Sequence, residues 1–233
     1  RRAGERLMEF TLLAAAALAG AAAYAMLWWE AKHGNASRCT GNLWEAGVVS
    51  VVAGIFVGRI VAMLIDGVSP IAHPLDVILV RSGVSTVGAS LGALAVFTWL
   101  ARREPVAMAD GISAAALAGL AGWHAGCIVR GSCLGTASDL PWALAQSGSD
   151  VTRHPVGIYA ALVLGVAALG LAGWKAYRRP PAGAPAAIAV ITAAGTRLVV
   201  QPLQPSISGG PVWFYAAGLI VGIAALIWSV IRR

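Results

Sequence analysis

Long apolar segments recur along the whole chain, separated by shorter stretches that carry charge, proline or glycine. A bilayer core about 30 Å thick is crossed by a helix of roughly 20 apolar residues. By this measure we predict seven transmembrane helices, at about residues 7–29, 44–65, 84–100, 111–129, 155–177, 185–200 and 212–231. Only 12% of the residues are charged, against about 25% in an ordinary soluble domain. The sequence therefore predicts an all-α polytopic membrane protein, with a single transmembrane domain over residues 1–233.

Two stretches between the predicted spans are different in character. Residues 71–83 hold a short apolar run that His73, Asp76 and Arg81 interrupt and that is too brief to cross a membrane, so we expect an interfacial segment there. Residues 130–154 form a polar loop between the fourth and fifth spans. Ionisable residues are crowded in and around this loop, between residues 122 and 159, and we expect function to lie there.

Lysine and arginine predict the orientation, because cytoplasmic loops retain them. Over seven spans, nine basic residues fall on the side of the C-terminus, namely Lys32, Arg38, Arg102, Arg103, Lys175, Arg178, Arg179, Arg232 and Arg233. Six fall on the other side, namely Arg1, Arg2, Arg6, Arg81, Arg130 and Arg153. The majority predicts an N-terminus outside and a C-terminus in the cytoplasm.

The formal net charge of +7 is distributed over loop ends and is not gathered on one polar face. This distribution argues against nucleic-acid binding. Anionic phospholipid headgroups are the expected partners of these basic residues, because each gains roughly 1 kcal/mol near an anionic membrane surface.

The three cysteines, Cys39, Cys127 and Cys133, cannot all pair within the chain. The spacing between Cys127 and Cys133 is not that of a zinc site. These two could form a disulfide or could simply be small residues packed at a helix end, and either role is structural. We predict neither a metal nor a cofactor.

Ionisable residues at membrane depth are the candidates for chemistry, since a charged one costs about 2.5–3.5 kcal/mol at a helix centre on insertion scales. The candidates are Arg59, His124, Arg130, Arg153, His154 and Arg197. Spacing within one helix does not show which helices meet, so their grouping is not predicted.

Several motifs occur in the order in which one known family has them. They are Gly58-Arg59, Pro74 with the segment after it, residues 82–89, residues 123–135, residues 139–142, residues 153–159, and Arg197 with Gln201. This order resembles prolipoprotein diacylglyceryl transferase, a family of bacterial inner-membrane enzymes. Residues 123–135 fit the frame Gly-Arg-x-Gly-Asn-Phe-x-Asn-Gly-Glu-x-x-Gly, and residues 153–159 resemble Arg-His-Pro-x-Gln-Leu-Tyr.

The resemblance implies transfer of a diacylglyceryl group from phosphatidylglycerol to the lipobox cysteine of a preprolipoprotein, in the bacterial cytoplasmic membrane. Phosphatidylglycerol or another anionic phospholipid, and a preprolipoprotein, would be the partners. Arg197 suits the lipid phosphate, because a guanidinium stays charged when buried and offers a planar fork of donors. His124 and His154 could lower the pKa of the substrate thiol or take its proton. The substrate-binding candidates are Arg153, Tyr159, Arg130 and Arg59.

Each candidate also has a structural interpretation. Arg197 would reach lipid phosphate from a helix end, His154 would belong to a turn at a helix start, and Tyr159 would anchor the chain at the membrane interface. Arg59 would pair with Asp66 or with a headgroup.

The chain departs from the family at six polar positions, which here are Val87, His124, Cys127, Ser132, Ala160 and Gln201. A second hypothesis is therefore a non-catalytic relative that binds lipid as a subunit of a larger membrane complex, with a membrane protein as its partner. A third is altered chemistry, in which Cys127, Cys133 and His124 perform thiol or metal work.

Overall fold

The computed structural model describes residues 2–34, 38–78, 83–130, 133–145, 149–204 and 211–232, with the backbone alone at residues 2–12, 78 and 128–130. Within these ranges the chain forms eight α-helices and a two-stranded sheet. The helices are α1 (Arg2–His33), α2 (Leu43–Ile65), α3 (Pro74–Ile78), α4 (Thr86–Leu100), α5 (Pro105–Arg130), α6 (Val156–Tyr177), α7 (Ala184–Val200) and α8 (Val212–Ile231). The strands are β1 (Leu144–Ala145) and β2 (Thr152–Arg153), which pair antiparallel.

Six helices in the described residues are long and apolar enough to cross a membrane. These segments are Leu13–His33, Leu43–Ile65, Pro105–Cys127, Val156–Tyr177, Ala184–Leu203 and Val212–Ile231. The third predicted span is helix α4, whose 15 residues give a length of about 22 Å. The predicted interfacial segment contains the five-residue helix α3. The all-α polytopic fold is therefore confirmed, with six long spans and one shorter apolar helix.

Helix α5 begins earlier than the sequence predicted, at Pro105 and not at residue 111. Proline suits a first helical position, where its missing N–H is not needed. The added turn includes Asp110, which is almost fully buried. Its carboxylate accepts hydrogen bonds from the backbone N–H groups of Gly183 (2.7 Å) and Ala186 (3.0 Å). Asp110 thereby satisfies free donors at the start of α7.

The chain divides into two compact units, each of which is described by itself. The smaller unit, Cys39–Met108, contains α2, α3 and α4. The larger unit, Arg1–Arg38 with Ala109–Arg233, contains α1, most of α5, and α6 to α8.

Glycines bring α2 and α4 of the smaller unit close together. A Cβ added at Gly58 would lie 2.7 Å from the Cβ of Ala89, and one added at Gly92 would lie 2.6 Å from the Cβ of Val57. Gly54 on α2 also faces α4, again at a distance that leaves no room for a Cβ. Small residues four positions apart are typical of helix pairs in membranes, because they let the two backbones approach.

Glu104 makes a second connection in the smaller unit, which we call the Glu104 clasp. Its Oε1 accepts hydrogen bonds from the backbone N–H groups of Thr40 (2.8 Å) and Gly41 (3.0 Å), and from the Thr40 hydroxyl. The bond from the Thr40 hydroxyl is the main cause that lowers the pKa of the Glu104 carboxyl below its ordinary value. The clasp joins the segment before α2 to the segment before α5.

The larger unit has its hydrophobic core among α5, α6 and α7. Leu117, Leu164 and Leu171 are almost completely buried there, and alanines such as Ala114 and Ala160 fill the space between the helices. Helix α6 packs against α1 and α7, and α7 packs against α8. Small side chains thus let the helices approach closely around α6.

A buried ion pair connects helix ends of the larger unit. Lys175 Nζ lies 2.6 Å from Oε1 of Glu30, and both side chains are fully inaccessible to solvent. The same ammonium donates to the carbonyl of Gly111 at 3.0 Å and lies 3.5 Å from the hydroxyl of Ser113. Charges are tolerated at such depth when they are paired and hydrogen-bonded. The pair joins the end of α1, the start of α5 and the end of α6.

Candidate functional site

A disulfide fixes the start of the polar loop to α5. Cys127 and Cys133 are bonded, with Cα atoms 5.6 Å apart, which decides between the two structural roles that the sequence left open. Gly157, at the start of α6, fits against this disulfide, because a Cβ there would lie 2.8 Å from the Cβ of Cys127. Its backbone N–H also donates to the carbonyl of Cys133 at 3.3 Å. The end of α5 and the start of α6 are therefore held together.

Backbone hydrogen bonds then connect the polar loop to the end of α7, at what we call the Gly135 junction. Gly135 N–H donates to the His154 carbonyl (2.7 Å), His154 N–H donates to the Thr136 carbonyl (3.1 Å), and Thr136 N–H donates to the Leu203 carbonyl (2.8 Å). Leu203 ends a short 3₁₀ turn that follows α7. A Cβ at Gly135 would collide with the Leu203 carbonyl oxygen. The loop thus reaches the end of the helix that carries Arg197.

Three polar side chains in contact with one another lie beside this junction. The indole N–H of Trp142 donates to the hydroxyl oxygen of Tyr159 at 2.8 Å. That oxygen lies 3.5 Å from Nδ1 of His154, the outer limit of a hydrogen bond. An indole only donates, so the Tyr159 hydroxyl is left to donate its own hydrogen to Nδ1. In a neutral His154 the ring proton would then be on Nε2.

Two candidate arginines lie near the same loop and helix end. Arg153, on β2, donates from Nη1 to the Gly135 carbonyl at 3.3 Å and so supports the Gly135 junction. Arg197, in the last turn of α7, has its guanidinium carbon 5.2 Å from the centre of the Tyr215 ring. Both arginines are half-buried. The ring contact is a cation–π interaction between α7 and α8.

Two amide oxygens near the end of α7 stand out. The Oε1 atoms of Gln201 and Gln204 are buried, and neither has a hydrogen-bond partner among the described residues. Such oxygens are costly unless a donor reaches them. Gln201 lies one turn after Arg197, at a position where the family that the motifs resemble has glutamate.

The remaining candidates are less connected to this arrangement. His124 is half-buried on α5, one turn before Cys127. The side chain of Arg130 lies outside the part of the chain that the structure describes. Ser132 and Arg81 also lie outside the described residues.

Arg59 belongs to the smaller unit, where it is 2% exposed. Its Nε and Nη2 donate to the carbonyl of Asp76 at 3.0 and 2.9 Å, and its Nη1 donates to the carbonyl of Gly83 at 3.0 Å. These bonds hold the backbone at two points of the interfacial segment. Arg59 thus binds backbone here, and the substrate contact, the ion pair with Asp66 and the headgroup contact that the sequence suggested stay predictions.

Sequence reasoning missed two groups. Trp142 was not predicted as a site residue, although its indole N–H is a donor close to the predicted candidates. The buried pair of Glu30 and Lys175 was also missed. Its signal was the presence of opposite charges near the ends of two predicted spans, but their meeting depends on which helices are neighbours.

These features define the chain as a multi-pass helical membrane protein with a polar site at one end of a helix bundle. The family model described as prolipoprotein diacylglyceryl transferase matches residues 6–231. The chain belongs to this family of transferases of lipoprotein biogenesis, which confirms the resemblance seen in the motifs.

Relatives with this activity in their names come from several bacteria. The phosphatidylglycerol–prolipoprotein diacylglyceryl transferase of Cupriavidus necator is 29% identical over 221 residues, covering 87% of this chain and 79% of the relative. The protein of that name from Bordetella avium is 30% identical over 137 residues, covering 56% and 52%. The one from Methylobacillus flagellatus is 27% identical over 180 residues, covering 75% and 67%. The chain is thus a multi-pass bacterial membrane protein.

Proposed function

We propose that this chain transfers the diacylglyceryl group of phosphatidylglycerol to the lipobox cysteine thiol of a preprolipoprotein. The main support for this proposal is the Gly135 junction. It brings the side chains of Trp142, Tyr159 and His154 to the end of α7, the helix that contains Arg197. The names of the relatives supply the two substrates. The proposed site belongs entirely to the larger unit.

The reaction transfers a glycerol carbon of the lipid from a phosphate oxygen to the sulfur of the substrate cysteine. The thiolate attacks the glycerol carbon that carries the phosphate in the diacylglyceryl half of the lipid. A C–S bond forms and the C–O bond to phosphate breaks, so the electron pair leaves with glycerol phosphate. Catalysis then requires a cation for the leaving phosphate and an acceptor for the thiol proton.

In this proposal Arg197 supplies the cation. Its guanidinium lies over the Tyr215 ring, and its N–H donors would bind phosphate oxygens. The buried amide oxygens of Gln201 and Gln204 would accept hydrogen bonds from hydroxyl groups of the lipid headgroup. Phosphatidylglycerol has such hydroxyls, and phosphatidic acid does not.

The proton acceptor in this proposal is His154, acting through Tyr159. The Tyr159 oxygen takes the thiol proton while its own hydrogen moves to Nδ1 of His154, so the histidine ends protonated on both nitrogens. Trp142 holds the tyrosine oxygen in place with its N–H. The 3.5 Å contact shortens when substrate binds, as catalytic hydrogen bonds often do. Arg153 positions the loop, while His124 and Arg130 are proposed as further substrate contacts at the end of α5.

We place the polar loop outside the bacterial cytoplasmic membrane, with the N-terminus outside and the C-terminus inside. The disulfide between Cys127 and Cys133 supports this orientation, because disulfides persist in oxidising compartments. The opposite end of the larger unit carries the basic residues that favour the cytoplasmic side, Lys32, Lys175, Arg178 and Arg179. Reporter fusions at each terminus of the membrane-inserted chain would test this, and a cytoplasmic N-terminus would contradict it.

A second candidate function is a non-catalytic lipid-binding subunit of a larger membrane complex. It is favoured by two positions where the family has polar residues: Cys127 is consumed in a disulfide, and Ala160 is fully buried in the core. Thiol or metal chemistry has less support. The disulfide leaves neither sulfur as a thiolate, and among the described residues no three His, Cys, Asp or Glu side chains are grouped as metal ligands.

Release of glycerol phosphate distinguishes the two functions. Purified chain in detergent is mixed with phosphatidylglycerol and a lipobox peptide, and the water-soluble product is measured. We expect release by the wild-type chain and a loss of at least about 100-fold in Arg197→Ala, because one donor to a developing charge is worth that much. Arg103→Ala is the control for loss of an arginine outside the proposed site. Bound lipid without any product in the wild-type chain would support the subunit function and reject the transferase.

A further inference from the structure

A cavity of about 660 Å³ lies at the end of the larger unit opposite the polar loop. It is lined by Arg178 and Arg179 from the turn between α6 and α7, by Trp174 and Tyr177 of α6, and by Leu226 and Val230 of α8. We call it the arginine pocket. Its volume is in the range of small-molecule sites, about 300–1,000 Å³.

The charge of this pocket is uncompensated. Among the described residues neither the Arg178 nor the Arg179 guanidinium has a hydrogen-bond, ion-pair or ring partner. The ammonium of the neighbouring Lys175, in contrast, pairs with the Glu30 carboxylate and donates to a backbone carbonyl. Two arginines that line one cavity suit a ligand with several anionic oxygens, since each guanidinium offers paired N–H donors.

The backbone that presents the two arginines is anchored. Arg178 is extended, with φ −128° and ψ 132°, and two prolines follow Arg179. Beyond the prolines, the Asp110 carboxylate holds the N–H groups of Gly183 and Ala186. Because the turn is fixed at both ends, less conformational freedom is lost when a ligand binds.

The rest of the lining is amphipathic. Tyr177 is 84% exposed, and together with Trp174 it gives this helix end the aromatic residues that are typical of the membrane–water interface. Leu226 and Val230 supply an apolar wall on α8. A ligand that satisfies the whole lining therefore has an anionic head and an apolar tail.

We propose that the arginine pocket binds the headgroup phosphate of an anionic phospholipid, with an acyl chain against α8. This lipid is not the one that reacts. Helix α6 has 22 residues, so its two ends are about 33 Å apart, and the proposed transferase site lies at the other end. The lipid instead bridges the ends of α6 and α8, and the inference holds whether or not the chain is a transferase.

The test counts lipids bound to the full chain in detergent by native mass spectrometry. The variant is Arg178→Gln with Arg179→Gln. The control is Arg102→Gln with Arg103→Gln, another adjacent pair in a turn between helices, with the same change in net charge. Phosphatidylglycerol, phosphatidylcholine and inorganic phosphate are the three probes.

We expect wild-type chain and control to retain one more phosphatidylglycerol than the Arg178/Arg179 variant, whose affinity for that lipid falls about tenfold or more. We also expect phosphatidylcholine to be retained less than phosphatidylglycerol. Equal binding by both double variants would overturn the proposal, since the attraction would then be general. Inorganic phosphate that displaces the lipid at equal concentration would overturn it too, because the acyl wall would then contribute nothing. Failure of the transferase assay leaves this lipid count unchanged, so the two proposals fail separately.

Discussion

At the scale of single residues, the atoms that face each guanidinium distinguish the tasks of the arginines. Arg59 donates to the carbonyls of Asp76 and Gly83, and Arg153 donates to the Gly135 carbonyl, so both contact backbone. Arg197 has its guanidinium over the Tyr215 ring, and we propose that it binds the lipid phosphate. Arg178 and Arg179 line a cavity. The same residue type thus serves structure, the proposed chemistry and lipid binding.

The Tyr159 hydroxyl is the test of the proposed proton path. Tyr159→Phe removes the oxygen between Trp142 and His154, and we expect the turnover number to fall by about 100-fold or more, since a positioned acid–base group contributes that much. Trp142→Phe removes the donor but keeps the tyrosine, and should have a smaller effect. Unchanged turnover in Tyr159→Phe would remove the residue from the site.

The Glu104 clasp predicts a pH-dependent stability. The folded-state pKa of Glu104 is below its ordinary value, so the clasp stabilises the folded state above the ordinary carboxyl pKa and loses this contribution as the pH falls through the lowered value. We expect Glu104→Gln to lower the unfolding temperature at neutral pH, and the difference from wild type to shrink in acid. If wild type and Glu104→Gln differ in unfolding temperature by the same amount at neutral and acid pH, the charge of Glu104 does not contribute to stability.

At the scale of elements, two kinds of close contact shape the units. Glycines let α2 and α4 pack backbone to backbone, whereas the Gly135 junction joins a loop to the turn after α7. In both places a side chain would meet neighbouring atoms that have little freedom to move. These contacts are where a single added methyl group is most costly.

Gly92→Val tests the close packing between α2 and α4. The new side chain would collide with Val57, and we expect a loss of about 1–3 kcal/mol in the free energy of unfolding. Gly170→Val is the matched control, because a Cβ at Gly170 on α6 meets nothing within 4 Å. The measurement is thermal unfolding of both variants in the same detergent. Equal losses would mean that helix propensity, and not packing, causes the effect.

Sequence alone predicted the elements well and the site in part. Apolar length is a local property, so the spans could be read from it. His154 and Tyr159 are five residues apart across a helix start and belong to one family motif, although the sequence did not predict their contact. Trp142 reaches Tyr159 from 17 residues away, and this contact depends on the path of the polar loop. The pairing of Glu30 with Lys175 depends on the arrangement of α1 against α6, which no periodicity encodes.

At the scale of the whole molecule, the larger unit has two chemically different ends. One end has the disulfide, the Gly135 junction and the proposed reaction site, and the other has the buried ion pair and the arginine pocket. The proposed reaction at the outer face and the proposed lipid binding at the cytoplasmic face would use these two ends separately. The ion pair matters for the unit as a whole, because three helices meet at Lys175.

Lys175→Met tests how much the unit depends on that pair. The single change leaves Glu30 buried without a partner, and we expect a loss of about 3–5 kcal/mol in the free energy of unfolding. The double variant Glu30→Leu with Lys175→Met removes both charges and should recover most of the loss. Thermal unfolding of the single and double variants measures this. A double variant that is less stable than Lys175→Met would show that the pair itself, and not the orphaned charge, is what counts.

The central claim is that this chain forms a thioether between a lipobox cysteine and diacylglycerol. The most direct measurement is the mass of a lipobox peptide after incubation with the purified chain and phosphatidylglycerol. We expect the cysteine peptide to gain the mass of one diacylglyceryl group, and the same peptide with serine in place of cysteine to gain nothing. A cysteine peptide of unchanged mass, from a chain that still binds phosphatidylglycerol, would contradict the claim.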